Sequence, residues 1–309
     1  MAGKPPEALW EQFSQDTQVL TTWELVEKYD KAPSTIREWR IFLQRQGIPV
    51  GYGHGVHNGT LQPLYYVPVL DKYERIQGDA IVTGDFHFPF CNWEYVNRVV
   101  PVAEKFGIKR LIIAGDLMDM QSLSFFPKDT VPVKWEQELE ETERVIDYYC
   151  DAFDEIIDTV GNHLRNRALR RLEGQLDVGR FKRLFSKDAR VKCSPYPFLK
   201  LSTARGTYHI THQKNYRKNP LSVARDLCHK HRSHVITHHQ HRMAFGFDES
   251  GHYMLIDNGS MADEDKMDWV QMQDTTANAS THGFVAIKGG YPYLLGQHTD
   301  WEGKLWEPK

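Results

Sequence analysis

The sequence AIVTGDFH at residues 80–87 joins a short apolar run to a Gly-Asp pair, and LIIAGDLMD at residues 111–119 repeats the arrangement. An uninterrupted apolar run of this length is typical of a buried strand in a parallel sheet. A strand that ends in Gly-Asp carries its carboxylate to the rim of the sheet. Several such strands side by side would gather their ligands at one edge, and the sequence therefore predicts a shared site around Asp85 and Asp116.

Three further polar clusters could complete this site. They are GNH at residues 161–163, TH at residues 211–212 and THHQH at residues 237–241. In an extended chain residues i and i+2 point to the same side, so Asp85 and His87 could bind one ion. Asp116 could bridge two ions with its two oxygens. The other candidate ligands are an amide and three imidazoles, from Asn162, His212, His239 and His241.

The chemistry of these side chains indicates a kind of metal. Oxygen and nitrogen ligands without sulfur suit manganese, iron or zinc. Two divalent ions about 3.5–4 Å apart can hold a hydroxide between them and stabilise an in-line displacement at phosphorus. The candidate ligands are numerous enough for two ions. Of the 15 histidines in the chain, eight lie between His209 and His241, which favours ligation over a random scatter of surface histidines.

The series Asp-x-His, Gly-Asp-x-x-Asp, Gly-Asn-His, His and His-x-His resembles the calcineurin-like metallophosphoesterase superfamily, over about residues 79–260. The resemblance implies an α/β fold, a metallophosphoesterase-type sandwich of two mixed β-sheets flanked by helices. It also implies two divalent metal ions, manganese first, with iron, zinc or magnesium as alternatives. One ion would be bound by Asp85, His87, Asp116 and His241, and the other by Asp116, Asn162, His212 and His239.

The same resemblance assigns catalytic roles. His163 would donate a proton to the leaving group, and Asp119 would position it. An imidazole suits this role because its ordinary pKa lies near neutral pH. The segment Asn258-Gly259-Ser260 resembles the loop that follows the last motif of the family.

The chain also departs from the family pattern. Leu164 follows Gly-Asn-His where an acidic residue is common, and Gln213 stands where glycine often follows the fourth-motif histidine. His238 replaces the glycine that commonly precedes the final His-x-His, so His238 could compete with His239 as the ligand. His209, inside a predicted strand, is a weaker rival of His212. These departures leave every candidate metal ligand in place.

The charge of the chain is unevenly distributed. Residues 161–245 hold nineteen Lys/Arg against four Asp/Glu, a net charge of +15 within a chain whose total is −3. A basic excess around candidate metal ligands favours a polyanionic substrate over a merely solvated face. Arg165 and Arg167, just beyond His163, could bind phosphate oxygens through their forked donors. The alternative for these two arginines is a solvated helical face.

Residues 1–75 differ from the rest of the chain. Helices are predicted at residues 6–13, at 23–29 after a Thr21-Thr22 cap, and after a Ser34 cap. Strand-like runs at residues 49–52 and 64–69 flank an Asn-Gly turn and predict a hairpin. The order resembles a winged helix-turn-helix domain, and the candidate DNA contacts are Thr35, Arg37, Arg40 and Arg45. The alternative is a dimerisation or packing module, since this segment holds eight Lys/Arg and nine Asp/Glu.

After a linker at residues 71–78, the second predicted domain covers residues 76–309. Its predicted strands lie at residues 80–84, 110–114, 155–160, 198–203, 207–211, 234–238 and 252–257. Its clear helices are predicted at residues 93–106 and 135–153. The βαβ rhythm of the first half predicts parallel strands, and the strand-rich second half fits a sandwich of two facing sheets.

These features predict a two-metal phosphodiesterase that hydrolyses nucleic acid, with a DNA nuclease as the leading hypothesis. One alternative is a phosphomonoesterase or cyclic-nucleotide phosphodiesterase for a small molecule. Another is a non-catalytic DNA-binding adaptor whose metal site is structural. No apolar run approaches the roughly 18 residues of a membrane span. A cytoplasmic protein with no membrane partner is therefore expected. The sequence also permits a phage origin, with the protein acting in the host cytoplasm, and it permits a homodimer.

Overall fold

The computed structural model describes residues 4–51, 70–124, 128, 130–172, 175–272 and 279–302. The chain divides into two compact units, Met1–Asp71 and Lys72–Lys309. Among the described residues, none of the helices combines the length and the apolar character that a membrane crossing requires.

The described part of the first unit is helical. A short 3-10 turn, Glu7–Leu9, leads into α1 (Trp10–Val19), which is followed by α2 (Thr22–Tyr29) and α3 (Pro33–Arg45). Thr21 caps α2 in a reciprocal capping box with Glu24. The predicted Ser34 cap is wrong, because α3 begins at Pro33 and its N-cap is Ala32, two residues earlier. Pro33 fits the first turn of a helix, where no backbone N–H is needed.

One apolar cluster holds the three helices together. Its buried members are Phe13, Leu25, Ile36, Trp39 and Leu43. The rings of Phe13 and Trp39 meet edge to face at 5.3 Å between centroids. The predicted hairpin lies almost entirely outside the described residues, since these omit residues 52–69.

The second unit contains two six-stranded mixed sheets. The first sheet has the order β1 (Arg75–Gln77), β6 (Phe198–Thr203), β7 (Gly206–Thr211), β8 (His234–Thr237), β10 (Met254–Asp257) and β9 (Ala244–Phe247). Strands β7, β8 and β10 run parallel to one another.

The second sheet has the order β12 (Tyr291–Gly296), β11 (Gly283–Lys288), β2 (Ala80–Thr83), β3 (Arg110–Ile113), β4 (Glu155–Thr159) and β5 (Val191–Ser194). Strands β2 to β5 are parallel, so their carboxyl ends lie at one rim of this sheet. Strands β11 and β12 form an antiparallel hairpin beside β2.

The two sheets face each other across a shared core. Alternate residues such as Val82, Ile112 and Ile157 meet Leu201 and Ile210 of the opposite sheet in one buried cluster. The outer face of the second sheet packs against α4 (Trp93–Phe106) and α5 (Trp135–Ala152). The outer face of the first sheet packs against α7 (Ser222–His231). The predicted sandwich of two mixed sheets flanked by helices is confirmed.

Several shorter elements were absent from the sequence expectations. The predicted linker at residues 71–78 is wrong in part, because residues 75–77 form β1 and pair in parallel with β6. Strands β5, β9, β11 and β12 were not predicted, nor were α7, α6 (Val178–Lys182) and α8 (Asp268–Gln271). A single turn of π-helix, Leu164–Leu169, continues from the Gly-Asn-His cluster.

Candidate metal centre

Five of the candidate ligands lie just beyond strand ends in an uncommon backbone conformation. Asp85, His87, Asp116, His239 and His241 all have positive φ angles, between 49° and 71°. The extended geometry expected for Asp85 and His87 is therefore wrong, and a left-handed turn replaces it. Non-glycine residues in this region cost about 1–3 kcal/mol each, and such strain concentrates at functional sites.

The first group of ligands consists of Asp85, His87 and His241. The Nε2 atoms of His87 and His241 are 3.3 Å apart. Oδ1 of Asp85 lies 3.5 Å from Nε2 of His241 and 4.0 Å from Nε2 of His87. Ligands at about 2.1 Å from a tetrahedral ion stand about 3.4 Å from one another. The three atoms are thus spaced as ligands of one ion would be.

The second group consists of Asp116, His212 and His239, whose candidate ligand atoms lie within 4.8 Å of one another. Nε2 of His212 is 3.2 Å from Oδ2 of Asp116 and 2.7 Å from Oδ1 of Asn162. Oδ2 of Asp116 is buried, and its nearest described polar neighbour on this side is the His212 ring. Asn162 thus faces this group as well, and an ion would satisfy the carboxylate oxygen.

Three of these imidazoles are oriented in the same way. In each ring Nδ1–H donates a hydrogen bond to an oxygen, which turns Nε2 towards the carboxylates. His87 donates to Oδ1 of Asp119 at 3.0 Å, and His212 donates to the carbonyl of Ala114 at 2.9 Å. His241 donates to Oε1 of Glu264 at 2.9 Å. Metal-binding histidines almost always carry such a partner, because it fixes the tautomer and the orientation of the ring.

His238 has a different arrangement from its neighbour His239. It is 1% exposed, and its Nε2 accepts a hydrogen bond from the Asn258 amide at 2.9 Å. His238 is in neither ligand group of the described residues, whereas His239 belongs to the second. His209 faces outward from β7 and stacks on His231 at 4.0 Å between ring centroids. The geometry therefore favours His239 over His238, and His212 over His209.

The loop around Asn258 makes hydrogen bonds to the backbone near Asp85, a member of the first ligand group. Besides His238, the Asn258 amide donates to the carbonyl of Val82 at 3.0 Å, at the end of β2. The Ser260 hydroxyl donates to the carbonyl of Asp85 at 3.2 Å. These bonds satisfy buried backbone oxygens near the turn that carries Asp85, so the loop fixes the position of that ligand.

Asp119 connects the ligands with the proposed acid. Nδ1–H of His163 donates to the carbonyl of Asp119 at 2.8 Å, and Nδ1 is 3.3 Å from Oδ1 of the same residue. Nε2 of His163 then faces the ligands, 3.8 Å from Oδ2 of Asp116. Arg167 donates to Oδ2 of Asp119 at 3.0 Å. Arg167 therefore already neutralises a buried carboxylate, while Arg165 is half-buried and burial lowers its pKa.

The carboxylates of the site dominate its electrostatics. Although burial opposes ionisation, the neighbouring imidazoles hold the pKa of Asp85 and that of Asp116 below the ordinary range. Burial lowers the pKa of His212, but Asp116 and Asp85 reverse this and raise it to about 9. The pKa of His241 is raised to about 10, because Asp85 and Glu264 outweigh burial. The site therefore has a buried negative charge that favours cations.

Two acidic residues near the site were missed by sequence reasoning. Glu264 orients His241, and Glu138 of α5 accepts hydrogen bonds from the backbone of Met120 and Gln121 at 2.7 and 2.9 Å. Burial and the nearby Asp119 raise the pKa of Glu138 to about 8. Both lie within acidic stretches of the sequence, ADEDK and EQELEE, so only the fold shows which carboxylate reaches the site.

The candidate DNA contacts of the first unit separate into two kinds. Arg37 and Arg45 are exposed on α3, and Thr35 is half-buried. Arg40 is 3% exposed, and its Nη1 donates to the Thr22 hydroxyl at 2.7 Å. The prediction of a DNA contact at Arg40 is corrected, because its guanidinium is buried between helices and ties α3 to α2.

The chain matches no family model and no curated protein. Among solved structures, Vps29 of Chaetomium thermophilum aligns with 68% of this chain and 83% of its own, at 10% identity and a TM-score of 0.38. Wild-type Vps29 of Entamoeba histolytica, complexed with zinc, aligns over 72% and 94%, at 12% identity and a TM-score of 0.36. Nuclease MPE of Pseudomonas putida aligns over 70% and 87%, at 14% identity and a TM-score of 0.31. Similarity this distant carries no conclusion about function.

Proposed function

We propose that this chain is a metal-dependent phosphodiesterase of the calcineurin-like metallophosphoesterase superfamily and that it hydrolyses DNA. The observation that carries the proposal is the shared orientation of His87, His212 and His241. Each ring donates Nδ1–H to an oxygen and turns Nε2 towards Asp85 or Asp116. Two divalent ions, with manganese as the first choice, would be held by Asp85, His87 and His241 in one group and by Asp116, His212 and His239 in the other.

The residues around the ligands fit the rest of this chemistry. Divalent ions supply Lewis-acid polarisation of the phosphoryl group and lower the pKa of water. His163 is turned by the carbonyl of Asp119, so that its Nε2 faces the ligands. A proton held on that nitrogen would pass to the leaving oxygen as the phosphorus–oxygen bond breaks. Asp119 fixes His163 and His87 together, so it positions both the acid and a ligand.

Two features support nucleic acid as the substrate. The net charge of +15 over residues 161–245 belongs to the part of the chain that supplies four of the proposed ligands, from Asn162 to His241. An extended polyanion makes use of such a charge, whereas a small ester needs only one or two cations. The second feature is the first unit, whose helix α3 carries the exposed arginines Arg37 and Arg45. We propose that this unit binds DNA.

Hydrolysis of a panel of substrates tests the proposal. Protein loaded with Mn²⁺ should cleave single-stranded oligonucleotides or plasmid DNA, and a chelator should abolish cleavage. His163→Ala should retain the metal content of the wild type and lose about 10²–10⁴-fold in rate, the usual range for a positioned acid. Hydrolysis of small esters without cleavage of any nucleic acid would instead indicate a small-molecule phosphoesterase. DNA binding without turnover would indicate an adaptor with a structural metal site.

A further inference from the structure

A basic pocket of about 450 Å³ lies at the start of α7, outside the ligand groups. Its walls carry three cations, two neutral polar side chains and one carboxylate, from Arg217, Lys218, Asn219, Ser222, Arg225 and Asp226. Arg217, Lys218 and Asn219 are exposed, and Ser222 and Arg225 are half-buried. The pocket is thus open to solvent and carries more positive than negative side chains.

Buried hydrogen bonds connect this pocket to the proposed ligands. Arg242, the residue after His241, is 5% exposed, and its guanidinium donates to the backbone carbonyls of Arg217 and Lys218. Gln240, between His239 and His241, is 4% exposed and accepts from Nη2 of Arg242 at 2.8 Å. Its Oε1 also accepts from the backbone N–H of Arg217 at 3.3 Å. Gln240 and Arg242, on either side of the proposed ligand His241, therefore fix the backbone of the pocket.

Resting on the proposed function, we propose that this pocket binds a backbone phosphate of the DNA strand other than the phosphate being cleaved. Arg217 and Lys218 supply charge, and the Asn219 amide and the Ser222 hydroxyl supply neutral donors. Charge-assisted bonds from such groups to phosphate oxygens are strong and position a strand without reading its sequence. A small phosphoester lacks this second phosphate, so the pocket discriminates polynucleotides from small substrates.

The ion pairs described for Arg217 and Arg225 differ in how readily a phosphate could replace them. Nη2 of Arg217 is 3.9 Å from Oδ2 of Asp226, and both side chains are more than half exposed. An exposed pair at this distance contributes little, so a phosphate can replace Asp226 beside Arg217. Nε of Arg225 is 2.7 Å from Oε1 of Glu249, so Arg225 mainly shapes the wall. Arg217 is therefore the main cation for the phosphate, Lys218 adds positive charge beside it, and Asp226 is an opposing charge.

The test is the affinity of the full, metal-loaded chain for a fluorescent single-stranded DNA oligonucleotide whose backbone resists hydrolysis, measured by anisotropy. The double variant Arg217→Ala/Lys218→Ala should bind roughly tenfold more weakly, the scale of two exposed charge contacts. The slope of log affinity against log salt should become shallower by about 0.7 for each phosphate that is no longer neutralised. Asp226→Asn should bind a few-fold more tightly, because it removes the opposing charge.

Lys230→Ala is the matched control, since Lys230 is exposed near the other end of α7 and does not line the pocket. It should leave the affinity within about twofold of the wild type. The metal content and circular dichroism of the double variant show whether its fold and metal centre are intact. Equal affinities and salt slopes for the double variant and the control overturn the proposal, as does a wild type that binds no DNA. A wild type that binds DNA through this pocket but hydrolyses no phosphodiester contradicts the proposed function alone.

Discussion

At the scale of single residues, the site is built on backbone conformations that its residue types do not favour. Five proposed ligands have positive φ angles, and each such residue costs about 1–3 kcal/mol. The turns are maintained by bonds such as those from the His239 N–H to Asp85, at 3.1 and 3.3 Å. The strained turns bring carboxylates and imidazoles together at the strand ends, which extended strands would not do.

Glu264 is predicted to control the strength of the first metal site. Its Oε1 accepts Nδ1–H of His241 and also bonds the Ser280 hydroxyl. Because the carboxylate fixes the ring and increases the basicity of Nε2, Glu264→Ala should lower metal affinity or activity about 10–100-fold. Glu264→Gln keeps an acceptor and should recover part of this loss. Metal titrations followed by calorimetry measure the affinities.

Asp265→Asn provides the control for this prediction. Asp265 neighbours Glu264 and is exposed, and it accepts only from the Gln271 side chain at 3.2 Å among the bonds described for it. Its substitution removes the same charge from the same segment without touching His241. Similar metal affinities for Glu264→Ala and Asp265→Asn would show that the contact to His241 has no role in ligation.

Gly161 is predicted to tolerate no side chain. A Cβ at this position would lie 2.1 Å from Oδ1 and 2.3 Å from the backbone nitrogen of Asp116. Because a backbone atom cannot rotate away, Gly161→Ala should displace Asp116 and reduce metal occupancy and hydrolysis by about tenfold or more, the effect of misplacing one ligand. Metal content after desalting and the rate on a phosphodiester substrate measure the two losses.

Gly179→Ala is the comparison for Gly161→Ala. A Cβ at Gly179 would meet only Oδ1 of Asp177, at 3.3 Å, and that side chain can move. Gly179 lies inside α6, where alanine is the better helix former. The control should therefore keep its metal and its rate. A Gly161→Ala protein with wild-type metal content and rate would contradict the close packing between this glycine and Asp116.

At the scale of elements, a buried carboxylate connects two helices of the first unit. Asp16 of α1 is 6% exposed and accepts bonds from Nζ of Lys28 at 2.8 Å and from the Tyr29 hydroxyl at 2.5 Å, both on α2. Burial raises the pKa of Asp16, but these bonds outweigh it and the net pKa is lowered. Since hydrogen bonds to charged groups contribute about 1.5–3 kcal/mol, Asp16→Asn should destabilise the unit by about 2 kcal/mol at pH 7.

The pH dependence of the Asp16→Asn destabilisation follows from the direction of the pKa shift of Asp16. A carboxyl whose pKa is lowered by folding stabilises the fold above its unfolded pKa of about 3.9, and this stabilisation is lost as the pH falls through the lower folded value. The difference between Asp16→Asn and wild type should therefore shrink towards pH 3. Hydrogen exchange of the α1 and α2 amides in the full chain, followed by mass spectrometry, measures it. Asp30→Asn, an exposed change in a left-handed C-cap that asparagine also tolerates, should show no such difference.

The sequence predicted the elements whose signal is local. Strands β2 and β3 contain apolar runs that lead into a Gly-Asp pair, and α4 begins and ends at the predicted residues, Trp93 and Phe106. Strands β5 and β9, with sequences VKCS and AFGF, have no comparable run, because their conformation depends on the neighbouring strand. The hairpin of β11 and β12 was not predicted, although the sequence has a Gly289-Gly290 pair that favours a turn. Both glycines have positive φ in the structure.

The predictions of site residues divide in a similar way. Candidate ligands within motifs, such as His87 and His212, could be found because each follows an apolar run at a fixed spacing. Glu138 and Glu264 could not, because their partners are distant in the sequence. The choice between His238 and His239 also depended on the fold, since only the fold brings His239 beside Asp116 and His212.

At the scale of the whole molecule, charge is divided unequally between the two units. The second unit contains the basic segment of residues 161–245, whereas residues 1–75 hold nearly equal numbers of basic and acidic residues. The first unit therefore cannot attract DNA by its net charge, and any contact must depend on a local surface. The exposed arginines of α3 are the candidates, since Arg40 is buried between α2 and α3.

Arg37 and Arg45 are therefore predicted to contribute to DNA affinity but not to hydrolysis. Both are exposed on α3, a helix of 13 residues that is about 20 Å long. Replacing both with alanine should weaken binding of duplex DNA several-fold and make its salt dependence shallower by about 0.9 for each phosphate that is no longer neutralised.

Lys31→Ala, an exposed change just before α3, is the control for this double variant. The rate on a small phosphodiester should stay constant in all three proteins, because the metal centre belongs entirely to the second unit. If the double variant binds duplex DNA as tightly as the control, with the same salt slope, the first unit does not contact DNA through α3, and the alternative of a dimerisation or packing module gains support.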